Sequence, residues 1–344
     1  MHPAKKELQI YAIIMNDMME KERFSPGIQF AMLLAFTGFF WILGGIISIF
    51  IASQIMHISL QQLLLDPMAI EKNAQAAMAM QIIGTLFMFP LPVIILAFVT
   101  SKKPFKYLGY STVLNGKQLF YAILIFLAAM WVSESLGLIN QLIPLPKSTE
   151  TYFKQKEDEY AQATYALVTL NTFKDYLFSI FIIALLPAVF EEMLFRAGLQ
   201  NILIKWTKLP FISILITSTL FSLVHASYYG FLPRLFLGVV LGYLFYYSKN
   251  IWLSTLVHFL NNAVTITVAY IWVSGGKNIK DALNDTGFTN KMAVYNTLFA
   301  GFLLAAAMYF VFKAYKRESE QVLAKHTPVI VQQNDDTIFD NNTI

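Results

Sequence analysis

The chain alternates between long apolar stretches and short polar ones, and this pattern sets the first expectation about its fold. Charge-poor windows of about 20 residues or more recur along the sequence, and this length crosses a hydrocarbon core roughly 30 Å thick. The short alternation typical of membrane β-barrels is absent. The pattern predicts an all-α, polytopic bundle of transmembrane helices. About eight spans are expected, at roughly 28–52, 77–100, 118–142, 176–197, 209–227, 231–247, 251–274 and 293–313.

Polar segments divide the chain into three parts. Residues 1–27 interleave apolar and basic side chains, which predicts an interfacial segment on the cytoplasmic side. Residues 28–313 form the predicted membrane domain. Residues 314–344 are polar and are predicted to form a disordered cytoplasmic tail. The first apolar run is too long for the core of a signal peptide, so no cleavable signal peptide is expected.

Composition and charge agree with a membrane protein. Hydrophobic residues make up 57% of the chain and charged residues only 13%, against about 25% charged in typical soluble domains. With the N-terminus inside, 16 of the 25 Lys and Arg residues fall in inner segments, which predicts that both termini are cytoplasmic. We therefore expect an integral membrane protein, in the cytoplasmic (inner) membrane if the host is bacterial. The chain has no cysteine, which excludes disulfides, thiolate metal ligands and cysteine nucleophiles.

Two adjacent glutamates close a long apolar run, near the expected cytoplasmic end of the fourth span. Ionisable groups at membrane depth usually face an internal cavity and mark a functional site. Glu192 and Arg196 are four residues apart, so they are neighbours on one helical face and form a predicted ion pair. Glu191 points about 100° away and is left free to take a proton. Pro187 is expected to kink or open the helix beside the pair. The alternative is that both glutamates only mark the end of a span near the headgroups.

Two histidines lie in later apolar segments. His225 follows Phe221 by one helical turn, and His258 shares a face with Asn262. A single histidine in a helix is more often a packing group than a catalyst, and polar pairs in membrane bundles often serve only interhelical bonding. The combination is more informative than its parts, because it supplies a base for water and donors for an oxyanion.

Hydrolysis of a peptide bond is the chemistry that this combination favours. Glu191 with His225 can activate water, and His258 with Asn262 can form an oxyanion hole. In the alternative arrangement, Glu191, His225 and His258 bind a zinc ion that holds the water. The sequence contains no H-E-x-x-H motif. We favour the arrangement without a metal or other cofactor.

Other polar positions are weaker candidates. Glu134 is an isolated carboxylate in the third span, with no assigned role. Arg234 follows Tyr228 and Tyr229 at an expected outer boundary, where an aromatic belt is the ordinary explanation. A glycine pair at Gly238 and Gly242 is explained by close helix packing. No basic and aromatic patch indicates nucleic acid as a partner.

Three motifs follow one another in this order inside apolar segments: Glu191-Glu192-x-x-x-Arg196, Phe221-x-x-x-His225 and His258-x-x-x-Asn262. Together they resemble the CPBP family, whose members include the type 2 CAAX prenyl endopeptidases and the bacteriocin-processing or Abi proteins. The resemblance covers about residues 176–275, and all three motifs are complete. It implies an intramembrane endopeptidase of eight helices with a cavity open to the cytoplasm.

The resemblance also implies roles for the motif residues. Glu191 and His225 would activate the water, and His258 and Asn262 would stabilise the oxyanion. Glu192, Arg196 and Phe221 would support the site. The expected partners are the lipid bilayer and a peptide or membrane-anchored protein substrate.

Two other function classes stay open at this stage. A non-catalytic membrane protein for peptide binding or bacteriocin immunity would sequester a hydrophobic peptide in the same cavity. A proton-coupled transporter would use Glu191 and the histidines as a relay, but the sequence shows no internal repeat. The identity of the substrate is beyond what the motifs specify.

Overall fold

The computed structural model describes residues 22–66, 69–70, 73–111, 113, 115–168, 170–276, 278 and 291–326. Every long regular element within these ranges is a helix, and none is a strand, so the predicted all-α class is confirmed. Residues 1–21 and 327–344 lie outside the described residues. These two ranges contain most of the predicted interfacial segment and much of the predicted tail.

Within the described ranges, seven α-helices precede the segment that carries the glutamates. Proline occupies the first turn of several helices, where its missing N–H leaves no hydrogen bond unmade. The seven are α1 (Pro26–Met56), α2 (Leu60–Leu65), α3 (Ala74–Met88), α4 (Pro90–Thr100), α5 (Pro104–Tyr107), α6 (Gly116–Leu142) and α7 (Lys147–Leu167).

A continuous helical segment, the long helix, runs from Phe173 to Thr207. A capping box starts it, in which Thr172 and Asp175 accept each other's backbone N–H groups. Its pieces are α8 (Phe173–Ser179), a π-helix (Ile180–Leu185), α9 (Leu186–Glu192), a second π-helix (Met193–Gln200) and α10 (Asn201–Thr207). The chain continues with α11 (Pro210–Leu223), α12 (Phe231–Ser248), α13 (Ile251–Ser274) and α14 (Lys291–His326).

Seven helical segments of the described chain are long and apolar enough to cross a membrane. They correspond to all the predicted spans except 209–227. There the structure has only the 14-residue helix α11, about 21 Å long, which is shorter than the roughly 30 Å hydrocarbon core. The predicted helix at 209–227 is present, but it ends at Leu223, four residues early, and it is not among the seven.

The last helix is longer than the sequence pattern indicated. The expected span ended at residue 313 and the predicted disordered tail began at 314. The structure instead continues α14 as far as His326. Polar contacts hold this extension, since Gln118 in α6 donates to Ser319 over 3.0 Å, and the Tyr315 hydroxyl donates to the Leu244 carbonyl over 3.0 Å.

The helices place apolar side chains outward and several polar ones inward, as a membrane protein does. On α1, Phe39, Trp41 and Ile46 are more than half exposed, and a lipid-facing surface explains this exposure. Glu192 and Arg196, in contrast, are completely buried. Burial of charge at that depth requires paired groups, so the interior holds the candidate chemistry.

Close packing between α11 and α12 positions the short helix. A side-chain carbon added at Gly238 would approach Ser218 Cβ to 2.8 Å, and one added at Gly242 would approach Ile214 Cγ2 to 2.7 Å. The predicted packing role of the glycine pair is confirmed, because only glycine permits this approach. The chain therefore holds the end of α11 in a fixed place beside the long helix.

A buried polar cluster ties α1 and α5 to the end of the long helix. Lys205 Nζ and Glu22 Oε1 are 2.5 Å apart, and Gln29 donates to the other oxygen of Glu22 over 2.6 Å. The Tyr107 hydroxyl donates to Gln29 over 2.9 Å. Burial, with the Glu22 charge nearby, raises the pKa of Tyr107, so this hydroxyl stays protonated as a donor.

Candidate active site

The two glutamates lie near the middle of the long helix. The predicted fourth span ended at residue 197, but the helix continues to Thr207. Glu191 is therefore about 27 Å from Phe173 and about 24 Å from Thr207 along the helix. The helix is longer than the predicted span, and of its two glutamates Glu192 is buried and Glu191 is partly buried rather than exposed.

The helix around the glutamates departs from α-geometry on both sides. A π-helical stretch, Ile180–Leu185, comes directly before Pro187, and a second one, Met193–Gln200, begins directly after Glu192. Proline cannot donate the hydrogen bond of a regular turn, and wider turns absorb this loss. The predicted opening of the helix beside Pro187 is thus present, and π-turns inside α-helices are frequent at functional sites.

The Glu192 carboxylate bonds to two side chains, those of Arg196 and His258. Its Oε2 accepts from Arg196 Nε over 3.1 Å, and its Oε1 accepts from His258 Nδ1 over 3.2 Å. All three side chains are almost fully buried. The ion pair expected from the four-residue spacing is formed, and it extends to His258. Ser254, one turn before His258, is also buried, and its hydroxyl donates to the Ile251 carbonyl over 3.1 Å.

His258 lies between the two glutamates. Its Nδ1 faces Glu192, while its Nε2 is 3.8 Å from Glu191 Oε2. An ionised carboxylate only accepts hydrogen bonds, so the bond to Glu192 assigns a proton to Nδ1 and turns Nε2 toward Glu191. Glu191 Oε2 is buried and has no hydrogen-bond partner among the described residues. This oxygen is therefore available to a substrate or a water molecule.

His225 lies in a turn after α11, where the sequence reading had placed it in a helix. Its Nδ1 is 2.8 Å from the Phe221 carbonyl oxygen. A carbonyl only accepts, so Nδ1 carries the proton, and the lone pair of the neutral ring is on Nε2. The four-residue relation to Phe221 is kept because the turn continues directly from the last residues of α11. The imidazole is half-buried, as a base that must reach a substrate requires.

Phe221 connects the two histidines to the ion pair. Its ring centroid lies 5.0 Å from that of His225 and 5.6 Å from that of His258, in edge-to-face arrangements. The Arg196 guanidinium carbon lies 5.2 Å from the same centroid, within the range of a cation–π contact. Phe195 packs against its other side with centroids 5.3 Å apart. One aromatic ring thus sets the spacing of the polar groups.

Asn262 is less closely joined to this cluster. It lies one turn beyond His258 on α13 and is half-buried. Its Oδ1 accepts from Asn261 Nδ2 over 3.4 Å, and none of the hydrogen bonds described for the chain joins it to another motif residue. The structure therefore brings together Glu191, Glu192, Arg196, Phe221, His225 and His258, with Asn262 beside them.

Arg234 was assigned to an aromatic belt at the outer boundary. In the structure it is partly buried in the first turn of α12, and its guanidinium lies against Gly230. The rule that drew attention to the glutamates, that a charge in an apolar segment marks a site, applies equally to this residue. Glu134, the other isolated charge, is exposed on α6.

A zinc site was the alternative arrangement of these residues. In the described part of the chain, no three His, Asp, Glu or Cys side chains are close enough to hold one metal ion. The arrangement without a metal ion stays a prediction.

Comparison with known proteins bears on the same segment. Residues 173–264 match the family model described as type II CAAX prenyl endopeptidase Rce1-like. This part of the chain, 92 of its 344 residues, is similar to that family. The match begins where the long helix begins and ends after Asn262, so it contains every motif residue. The resemblance to the CPBP family is confirmed for this segment, and the family supports a membrane-embedded hydrolase. No curated protein and no solved structure matched the chain.

Proposed function

We propose that the protein is an intramembrane endopeptidase that hydrolyses a peptide bond in a hydrophobic, lipidated or membrane-associated peptide. The observation that carries this proposal is the position of His258, at 3.2 Å from Glu192 and 3.8 Å from Glu191 inside a bundle of apolar helices. A purely structural ion pair would need Glu192 and Arg196 but would not require a second carboxylate with an unbonded buried oxygen.

Glu191 and His225 are the groups proposed to activate water. Glu191 Oε2 is available as an acceptor, and His225 keeps the lone pair on Nε2 because Nδ1 is held by a carbonyl. In the first step one of these bases takes a proton from water, and the resulting hydroxide adds to the carbonyl carbon of the substrate. In the second step the protonated base returns this proton to the amide nitrogen as the carbon–nitrogen bond breaks. Both products leave with atoms and charge balanced.

His258 and Asn262 are proposed to stabilise the oxyanion. Because Glu192 accepts from Nδ1, His258 donates from Nε2 to the oxyanion in its doubly protonated form. The amide group of Asn262 lies one turn away on the same helix and completes the pair of donors. Loss of one such donor typically lowers kcat by about a hundred- to a thousandfold. Glu192 and Arg196 hold the His258 ring in position.

The surroundings of the site indicate the class of substrate. Apolar helices surround the polar cluster, so a hydrophobic or lipid-anchored peptide reaches it from the bilayer at lower cost than a soluble one. The excess of Lys and Arg in the inner segments supports a cytoplasmic side for both termini. The family description supports a tail of the CAAX kind as one arm of the substrate test.

Cleavage of a peptide library by the purified protein tests the proposal. The library contains matched lipidated and unlipidated peptides, and the variants are Glu191→Gln and, as a control, Glu134→Gln. Glu134 is a carboxylate in another span that lies on an exposed surface. We expect cleavage to be lost in Glu191→Gln, kept in Glu134→Gln and kept in the presence of a chelator.

Three other results would each change the interpretation. Equal cleavage by Glu191→Gln and the unchanged protein would contradict the role of Glu191. Loss with chelator and recovery with zinc would contradict the metal-free arrangement. Binding of a peptide without cleavage, equally strong in Glu191→Gln, would favour the peptide-binding or immunity function.

A further inference from the structure

The turn that carries His225 has an unfavourable backbone conformation. Ala226 has a φ of 50°, in the left-handed region that residues with a Cβ atom rarely adopt. Such a conformation persists only where the surrounding contacts hold it. The segment 224–230, here called the histidine turn, therefore needs contacts from outside itself.

A carboxylate from α7 supplies the first of these contacts. Glu157 Oε1 accepts from the Ser227 hydroxyl over 2.6 Å and from the Tyr229 backbone N–H over 3.3 Å. Ser227 Oγ in turn accepts from the Gly230 N–H over 3.0 Å. One carboxylate thus binds two polar groups of the histidine turn directly and a third, the Gly230 N–H, through Ser227. Hydrogen bonds to a charged acceptor are among the stronger ones.

Two neighbouring contacts hold the same turn. The Phe153 ring, one turn before Glu157 on α7, stacks on Tyr228 with centroids 4.5 Å apart and planes 13° apart. From α6, Asn140 donates to the Tyr228 carbonyl over 2.9 Å and accepts from the Leu232 N–H over 3.4 Å. The histidine turn is therefore held from two helices that precede the segment 173–264 matched by the family model.

The remaining charges of α7 do not share this task. Glu150 pairs with Lys154, and Glu159 pairs with Lys156, and all four side chains are well exposed. Exposed pairs of this kind contribute little to stability. Glu157 differs because it is half-buried and its partners belong to the histidine turn.

We propose that Glu157 is a positioning residue for His225: its carboxylate fixes the histidine turn and so sets where the imidazole meets the substrate. This role rests on the proposed peptidase function. Glu157 contacts neither the imidazole nor the substrate site, and it acts through Ser227 and the backbone N–H of Tyr229.

Hydrogen exchange of the full-length protein in detergent is the first test, because it does not depend on activity. The variants are Glu157→Ala and Glu157→Gln, with Glu159→Ala as the matched control on the same helix. We expect at least about tenfold faster exchange of the Tyr229 amide in Glu157→Ala, since it loses its acceptor. The Gly230 amide should also exchange faster, because its acceptor Ser227 loses the carboxylate that positions its hydroxyl. Unchanged exchange there, or equal acceleration in Glu159→Ala, would overturn the proposal.

Turnover of a cleaved peptide is the second test. We expect Glu157→Ala to lower kcat by roughly ten- to a hundredfold with little change in KM, since a small displacement of a catalytic group reduces the rate at the chemical step. Unchanged kcat would overturn the positioning role. If the unchanged protein cleaves no peptide, the proposed function fails by that result, while the exchange data still decide whether Glu157 holds the turn.

A third variant guards against misfolding. Ser227→Ala removes one of the two partners of Glu157 and the acceptor of the Gly230 amide without changing α7, so it should speed exchange at Gly230. In the double variant Glu157→Ala/Ser227→Ala the effects on the Gly230 amide should not add, because both changes act there through the bond between Ser227 and Glu157. Additive effects would show that the two residues act separately and would overturn the proposed connection.

Discussion

Glu191 and Glu192 are adjacent, yet their removal should have very different effects on stability. Glu192 accepts two hydrogen bonds, from Arg196 and His258, and is fully buried. In Glu192→Ala the Arg196 guanidinium stays buried without its carboxylate, because neither of its terminal nitrogens has another hydrogen-bond partner in the described chain. Breaking a buried ion pair from one side costs about 3–5 kcal/mol.

The expected shift in melting temperature follows from this cost. An unfolding entropy of about 2.1 cal/mol/K per residue over ~300 residues amounts to about 0.6 kcal/mol/K, so 3–5 kcal/mol lowers the Tm by roughly 5–8 °C. Glu191→Gln should change the Tm by no more than about 1 °C, because Glu191 Oε2 makes no hydrogen bond that the substitution would break.

Thermal unfolding in one detergent, followed by tryptophan fluorescence, measures both variants under the same conditions. Glu134→Gln serves as the control for removal of a carboxylate from an exposed position in a span. Equal Tm values for Glu192→Ala and Glu191→Gln, or a larger loss in Glu191→Gln, would refute the division of roles between the two glutamates. Peptide cleavage should be lost in both.

Two further predictions concern the packing that sets the site. Phe221→Leu should cost only about 1–1.5 kcal/mol of stability. It should nevertheless lower turnover at least about tenfold, because both imidazoles lose the ring that spaces them. Unchanged turnover would contradict this. Gly242→Val should lower stability by about 1–3 kcal/mol, since a Cβ there meets Ile214 at 2.7 Å. The matched control is Gly45→Val on α1, where a Cβ meets nothing within 4 Å. Its melting temperature should stay close to that of the unchanged protein.

Much of the site could be predicted from the spacing of residues along helices. The pairing of Glu192 with Arg196 and the relation of Phe221 to His225 both follow from residues four apart, which local helical geometry brings together. The sequence pattern did not predict the position of the glutamates along the long helix. Hydropathy falls at Arg196, so the pattern ended the span there, whereas ion pairing inside the bundle allows the helix to continue to Thr207.

Contacts between distant segments were the part that spacing did not reveal. His258 lies between the glutamates because α13 packs against α9, and nothing in the sequence around either residue encodes that approach.

The sequence by itself determined the class of the fold and the local pairs of the site, because apolar length and helical periodicity are properties of neighbouring residues. Only the tertiary structure decided that His258 joins the two glutamates, that His225 lies in a turn and that Glu157 holds this turn. These contacts join residues 66 to 70 positions apart. They depend on how whole helices pack, and packing is set by side chains along their full length.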